Sequence, residues 1–443
     1  MHAMNATSAA LDHLLRAVGD PVGELRDIGP GHPEHAHAQV IRAAAGVIAK
    51  TPEGLHAIAQ AIRAVDMGNL SPRMRAHFAA AEAWLSGNPL LAAEGYALLL
   101  ARWPRDLLAL RLAQSCYFFL GADERMGAVV DAVMPAWKGA GDERGLGFVL
   151  AMASFAHAES GDAAYAEALG RQALAIDPAC PFGVHAVAHA IAESGRPGLG
   201  AQWMREQRAQ WAGESRMRTH NAWHLAMFDV EDGNIASAMG VLDGWLLPAS
   251  KVSSLDACDA TALQWRLAIE GISDEHRWSK VSDAFERRLT PGFWPYVDLH
   301  AAIAHAVAGK QERLQQLAES IARCARRSDY AGLRARLVTQ PGLQALDAWG
   351  KGRYGTASLL LAELHPVLKH AGGSRVQLEI FASIEHEAAR RERAGAATVY
   401  SRSTSQRGSS PLAIEGPSQQ GESKWRREAP TTEPVFAERS SSP

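Results

Sequence analysis

The 443-residue sequence predicts an all-α fold of short antiparallel helix pairs stacked one on the next. Three observations predict it. Alanine-rich, helix-favouring segments alternate with short breaks; apolar residues between the breaks recur at three and four; and β-branched alternating runs are scarce. The breaks carry Gly, Asp, Asn and Pro, as in Gly87-Asn88-Pro89, Gly121-Ala122-Asp123, Gly161-Asp162, Gly195-Arg196-Pro197 and Asp232-Gly233-Asn234. Short turns between short helices make sequence neighbours antiparallel neighbours in space.

The first 70 residues have helical periodicity but no repeat phase, and are expected to form an N-terminal helical cap on the open end of the stack. Residues 71–390 carry the repeats. In GFVLAMASFAHAESGDAAYAEALGRQALAIDP, counting from Gly147, Ala166 stands at position 20, Ala173 at 27 and Pro178 at 32. Small residues there let two helices cross closely, and the proline ends the second helix. These are the small, small and proline positions of the tetratricopeptide pattern. A weaker copy starts at Arg73, with Ala80, Ala92, Tyr96 and Pro104 in matching places. The predicted architecture is therefore a TPR-like α-solenoid. Residues 391–443 are rich in Ser, Pro, Gln and charge with few apolar residues, so they are expected to form a disordered tail.

Composition narrows the function classes. Charged residues make up 21 % and the formal net charge is −3, with basic and acidic residues interspersed, which argues against a nucleic-acid or anionic-membrane partner. Cys116, Cys180, Cys258 and Cys324 lie far apart without a CxxC pair, which fits a reducing compartment and speaks against a disulfide framework. The N-terminus has no basic segment followed by a long apolar run, and no stretch is long enough to span a bilayer. The expectation is a cytoplasmic protein. Walker-type GxxxxGK[ST], GxGxxG on a strand–helix turn, HExxH and GxSxG are all absent.

One constellation carries chemistry. His185 and His189 stand four apart, as do His220 and His224, and the second pair follows the first by 35 residues, about one repeat. Spacing i,i+4 puts each pair on one helix face, and equivalent positions in successive repeats lie side by side. The four imidazoles would then converge on the inner helices, as ligands for a divalent transition metal or as acid and base groups. Asp256, Asp259 and Asp298 are candidate carboxylates, with His300 beside the last. The competing reading makes the histidines hydrogen-bonded core residues. Trp223, Trp265, Trp278 and Trp294 fall in the same half of the chain; packing explains them, with the wall of an apolar pocket as the alternative.

The stretch from about 70 to 382 resembles the tetratricopeptide repeat protein 38 family. The segments RDLLALRLAQSCYFFLG (105–121), VHAVAHAIAESGR (184–196), HNAWHLAMFDVEDG (220–233), LDACDATALQWRLAIEG (255–271) with RW at 277–278, DLHAAIAH (298–305) and AGGSRVQLEIF (371–381) carry the resemblance, in family order. It implies a lined pocket built from His185, His189, His220, Asn221, Trp223, His224, Asp256, Asp259, Arg266, Asp298 and His300. The family's glutamate three residues after the second histidine is Ala192 here, and Glu193 stands one residue later, about 100° around a helix. The family's asparagine before DxH is Val297.

Two functions follow as expectations. The first is a binding scaffold whose concave groove, lined by the His/Asp/Trp cluster, holds a protein, peptide or small ligand. The second is an enzyme acting on a small molecule through a metal or acid–base pair on the paired histidines, oriented by Asp259 or Asp298.

Overall fold

The breaks read from the sequence contain the groups that end and start helices. Gly87, Gly121, Gly161, Gly195 and Gly233 all have positive φ, the left-handed conformation that closes a helix at its C-terminus. Asn88 and Asp162 then accept from backbone N–H groups of the next first turn, at 3.1 and 3.3 Å. A computed structural model describes residues 5–247 and 252–405, and among them it has helices and no strand.

The chain begins with α1 (Ala6–Arg16) and the pair α2 (His35–Ala49) and α3 (Pro52–Arg63). Pairs follow in α4 (Pro72–Leu85) with α5 (Pro89–Arg102), α6 (Leu107–Leu120) with α7 (Asp123–Trp137), and α8 (Glu143–Glu159) with α9 (Ala163–Ile176). Next come α10 (Pro181–Glu193) with α11 (Pro197–Glu206), a single turn α12 (Arg208–Trp211), and α13 (Arg218–Glu231) with α14 (Ile235–Val241). The series continues with α15 (Ser254–Ile269) and α16 (Glu275–Arg288), α17 (Pro295–Val307) and α18 (Gln311–Ala325), then α19 (Tyr330–Arg334), α20 (Gln340–Gly350) and α21 (Tyr354–Leu368). The long helix α22 (Arg375–Ser405) ends the described chain. First helices stack on first helices, α8 on α10, α13 on α15, α15 on α17 and α17 on α20, so this is a TPR-like α-solenoid.

Small residues sit where the sequence put them. Ala158, Ala166 and Ala190 form one fully buried group where α8, α9 and α10 meet, and Ala80, Ala92 and Tyr96 are buried in the earlier unit. A Cβ on Gly170 would run into Val187 and Ser154, so α9 can lie on its neighbours only with glycine there. All four cysteines are free and buried. Trp223, Trp265, Trp278 and Trp294 are all buried as core residues. No described helix is long and apolar enough to cross a membrane.

Two features depart from the expected open groove. The N-terminal segment does more than cap an end. Arg16 donates to Ala179 O at 2.9 Å, Asp12 pairs with Arg144, Val18 bridges Ser215, and Lys50 reaches Ser115 on α6. The first turns of α22 lie against the inner helices, with Arg375 on Glu159 and Glu193, Gln377 on Asp259, Glu379 on Arg266, Phe381 on His300 and Ser383 on Trp265. The face expected to be an open groove is thus covered, in this stretch, by the chain's own helix. Residues up to Ala396 form one compact unit. Because α22 continues to Ser405, residues 391–405 are helical where the disordered tail was expected to begin; the rest of that tail lies outside the described residues.

Candidate metal centre

The two histidine pairs do meet. His185 and His189 project from one face of α10, and His220 and His224 from one face of α13. One ring nitrogen from each of the four lies within 4.8 Å of all the others. The Nε2 atoms of His185 and His189 are 3.0 Å apart, near the edge of about 3.3 Å that a tetrahedron with metal–nitrogen bonds of about 2.0–2.1 Å requires. Ring centroids of His189 and His224 are 4.6 Å apart, and those of His185 and His220 5.0 Å. Three of the rings are buried; the His220 side chain is 21 % exposed and forms the open side of the cluster.

Carboxylates back two of the rings. Asp259, on α15, lies 2.8 Å from His220 Nδ1 and is buried. Glu159, the last residue of α8, places Oε1 2.8 Å from His189 Nδ1, both side chains being almost completely buried. Nδ1 of each of these two rings is thus turned toward a carboxylate, at hydrogen-bond geometry for His220 and at ion-pair distance only for His189, and a proton on Nδ1 would leave Nε2 as the ligand nitrogen. Glu159 is itself held, its Oε2 accepting from the Arg375 backbone N–H at 2.7 Å. Aromatic walls fix the rings: Trp223 stacks on His220 with planes 13° apart, and Phe155 stacks on His185 and meets His189 edge-on.

The electrostatics favour neutral imidazoles. Burial, then the neighbouring histidines, hold His185 and His224 well below the ordinary imidazole range. Burial pushes the Asp259 carboxyl up, and His220 opposes it. His185 Nδ1, His189 Nδ1 and His224 Nε2 are buried with no hydrogen-bond partner among the described residues. Four converging imidazoles, with orphaned ring nitrogens among them, could hold a divalent transition metal. Glu159 and Asp259 together would balance the charge of such an ion, as buried charge requires.

The remaining predicted residues are placed elsewhere. Asp256 is the N3 residue of α15 and closes a capping box with Ser253, so it serves the helix terminus. Arg266 pairs with Glu379 at 3.2 Å and ties α15 to α22. Asn221 is fully buried and its Nδ2 donates to Pro181 O at 3.5 Å, joining α13 to α10. Asp298 accepts from Gly292 N–H at 3.0 Å, and His300 Nδ1 donates to Tyr296 O at 2.8 Å. Neither reaches the four histidines, so of the two carboxylates offered to orient them only Asp259 does so; burial instead pushes Asp298 up to about 8 and His300 down to about 4.

No family model matches the chain. Among solved structures it is similar to a Rap protein complexed with competence and sporulation factor, with 10% sequence identity and a TM-score of 0.45, over 88% of this chain and 100% of that one. At that level the likeness carries no functional argument, and the reading of the site rests on its side chains.

The carboxylate missed in the sequence is Glu159. It left a signal: AESG occurs at 158–161 and again at 192–195, one repeat apart, so Glu159 and Glu193 are equivalent positions. Glu193 pairs with Arg375, while Glu159, one unit earlier, faces His189.

Proposed function

We propose that this protein is a metalloprotein, in which a TPR-like scaffold holds one divalent transition metal on His185, His189, His220 and His224 and acts there on a small molecule. The observation that carries the reading is the convergence of both i,i+4 pairs with a carboxylate behind one ring of each. Such an ion supplies Lewis acidity or redox chemistry when bound. The chain's own residues hold its ligands in one tautomer, exclude water on three sides and leave access beside His220. The shared segments support kinship with the tetratricopeptide repeat protein 38 family, with Glu159 standing in for the family's glutamate.

Scaffolding of a protein or peptide partner is the second reading. The exposure of Leu91 and Leu98 on α5 and of Leu359 on α21 favours it, and moves the contact surface from the covered inner face to the outer helices. Elemental analysis of purified protein decides between the two. The metal reading expects about one equivalent in the wild type, lost in a folded His185→Ala/His220→Ala double variant. Metal-free protein whose melting temperature is unmoved by zinc, manganese or iron would leave the scaffold reading alone.

A further inference from the structure

Both carboxylates behind the histidine cluster are held from their far side by one short stretch of chain, the start of α22. Glu159 turns Oε1 to His189, and its Oε2 accepts from the Arg375 backbone N–H at 2.7 Å. Asp259 turns Oδ2 to His220, and its Oδ1 accepts from Gln377 Nε2 at 3.5 Å. Each acid therefore spends one oxygen on a ring and the other on α22. The Gln377 amide has its orientation set by the helix terminus. Its Oε1 accepts from the Ser374 backbone N–H at 3.0 Å, while Ser374 Oγ accepts from the Gln377 N–H at 3.2 Å. This reciprocal cap leaves Nε2 as the end that faces Asp259. Both cap residues are buried, so a pair that ordinarily serves only its own helix reaches the acid behind His220.

The chain enters α22 through a tight pivot. Gly372 and Gly373 have φ 74° and 90°. A Cβ on Gly372 would strike the Phe119 carbonyl and Trp294 Nε1, and one on Gly373 the Tyr296 ring. Beyond the pivot, Glu379 pairs with Arg266, Phe381 packs on His300, and Ser383 Oγ accepts from Trp265 Nε1 at 2.9 Å. A cation on the four rings attracts both carboxylates and fixes the oxygens that face the rings, which sets the other oxygen of each where α22 grips it.

We infer that α22 is a latch over the inner face whose docking is linked to the ion: metal on the four histidines holds both carboxylates in the position that α22 grips, and loss of the metal releases the first turns of the helix. The inference rests on the metal reading. By linkage, the factor by which the ion favours the docked helix is the factor by which the docked helix tightens the ion.

Hydrogen exchange of the full chain, metal-free and with saturating zinc, manganese or iron, tests it when read over residues 375–384 and over α5, which contributes no residue to the site. Metal is expected to slow exchange in 375–384 by about tenfold or more beyond any slowing in α5. Gln377→Leu removes the grip on Asp259. Phe381→Leu loosens the helix at its contact with His300 without changing any group that holds a carboxylate or a ligand. Each should speed exchange of the segment in metal-free protein and weaken metal affinity about fivefold or more, read by competition with a chelator. Ser383→Ala, which removes the acceptor of the Trp265 N–H, serves the same test if Phe381→Leu does not fold. Equal slowing in α5 and in 375–384 is global stabilisation and overturns the latch while the metal reading stands. Undiminished affinity in a Phe381→Leu chain whose α22 exchanges faster does the same. Binding of none of the three metals by the wild type removes the metal reading and the latch with it.

Discussion

A buried ring nitrogen is stable when it has a partner, and three of the four clustered rings have a buried nitrogen with none among the described residues. The account assigns that role to a metal, and the carboxylates behind His189 and His220 give it testable parts. Glu159→Gln and Asp259→Asn keep the shape and remove the charge. Each should weaken metal affinity about 10- to 100-fold, read by competition with a chelator; unchanged affinity in both would make these acids merely structural. Away from the cluster, Asp298 offers a clean pH test. Its folded pKa of about 8 lies above the ordinary 3.8, so between those values the folded chain keeps a proton that the unfolded chain has lost. Stability therefore falls as pH rises through that window. Asp298→Asn, which can still accept from Gly292, should raise the melting temperature at pH 8, with the gain shrinking toward pH 4. A gain that does not depend on pH would contradict the assignment.

At the scale of the element, helix pairing was legible and helix placement only partly so. The break residues and the 35-residue offset gave α10 and α13 as stacked neighbours with their histidines facing, because period and capping are local properties of sequence. The reach of α22 across Glu159, Asp259, Arg266 and His300 was not legible, because contacts several repeats apart in the sequence leave no periodic trace. Glu159 went unread for another reason: its partner His189 is about one repeat away, but it stands at the last position of α8, outside the apolar spacing that carries the period. Three variants measure what these elements contribute. Phe381 is fully buried on α22 against His300, and Phe381→Ala should cost about 3–5 kcal/mol in chemical denaturation, loosening the lid over the inner face. Gly121, between α6 and α7, has φ 65° and its Cα faces the Lys369 carbonyl, which an added Cβ would strike. Gly121→Ala should therefore cost at least about 2 kcal/mol, whereas Gly195→Ala, with φ 65° and open space, should cost less.

At the scale of the whole repeat unit, the molecule differs from a groove awaiting a peptide. Residues near both ends of the unit fold onto its inner helices, and what they cover is a cluster of histidines and two carboxylates. That arrangement suits chemistry sheltered from water better than display of a long surface. Binding one ion also couples the site to folding, since α8, α10, α13 and α15 all contribute to its two shells. Saturating metal at about a thousand times its dissociation constant should stabilise the fold by about 4 kcal/mol, an increment absent from the His185→Ala/His220→Ala variant.

Whether the four rings bind one ion is read by anomalous diffraction, at the metal's absorption edge, from crystals of the metal-loaded full chain. One strong peak is expected at the centre of the cluster, within about 2.0–2.3 Å of a ring nitrogen from each of His185, His189, His220 and His224. A peak elsewhere, or none there at saturating metal with the four rings placed as described, would contradict it.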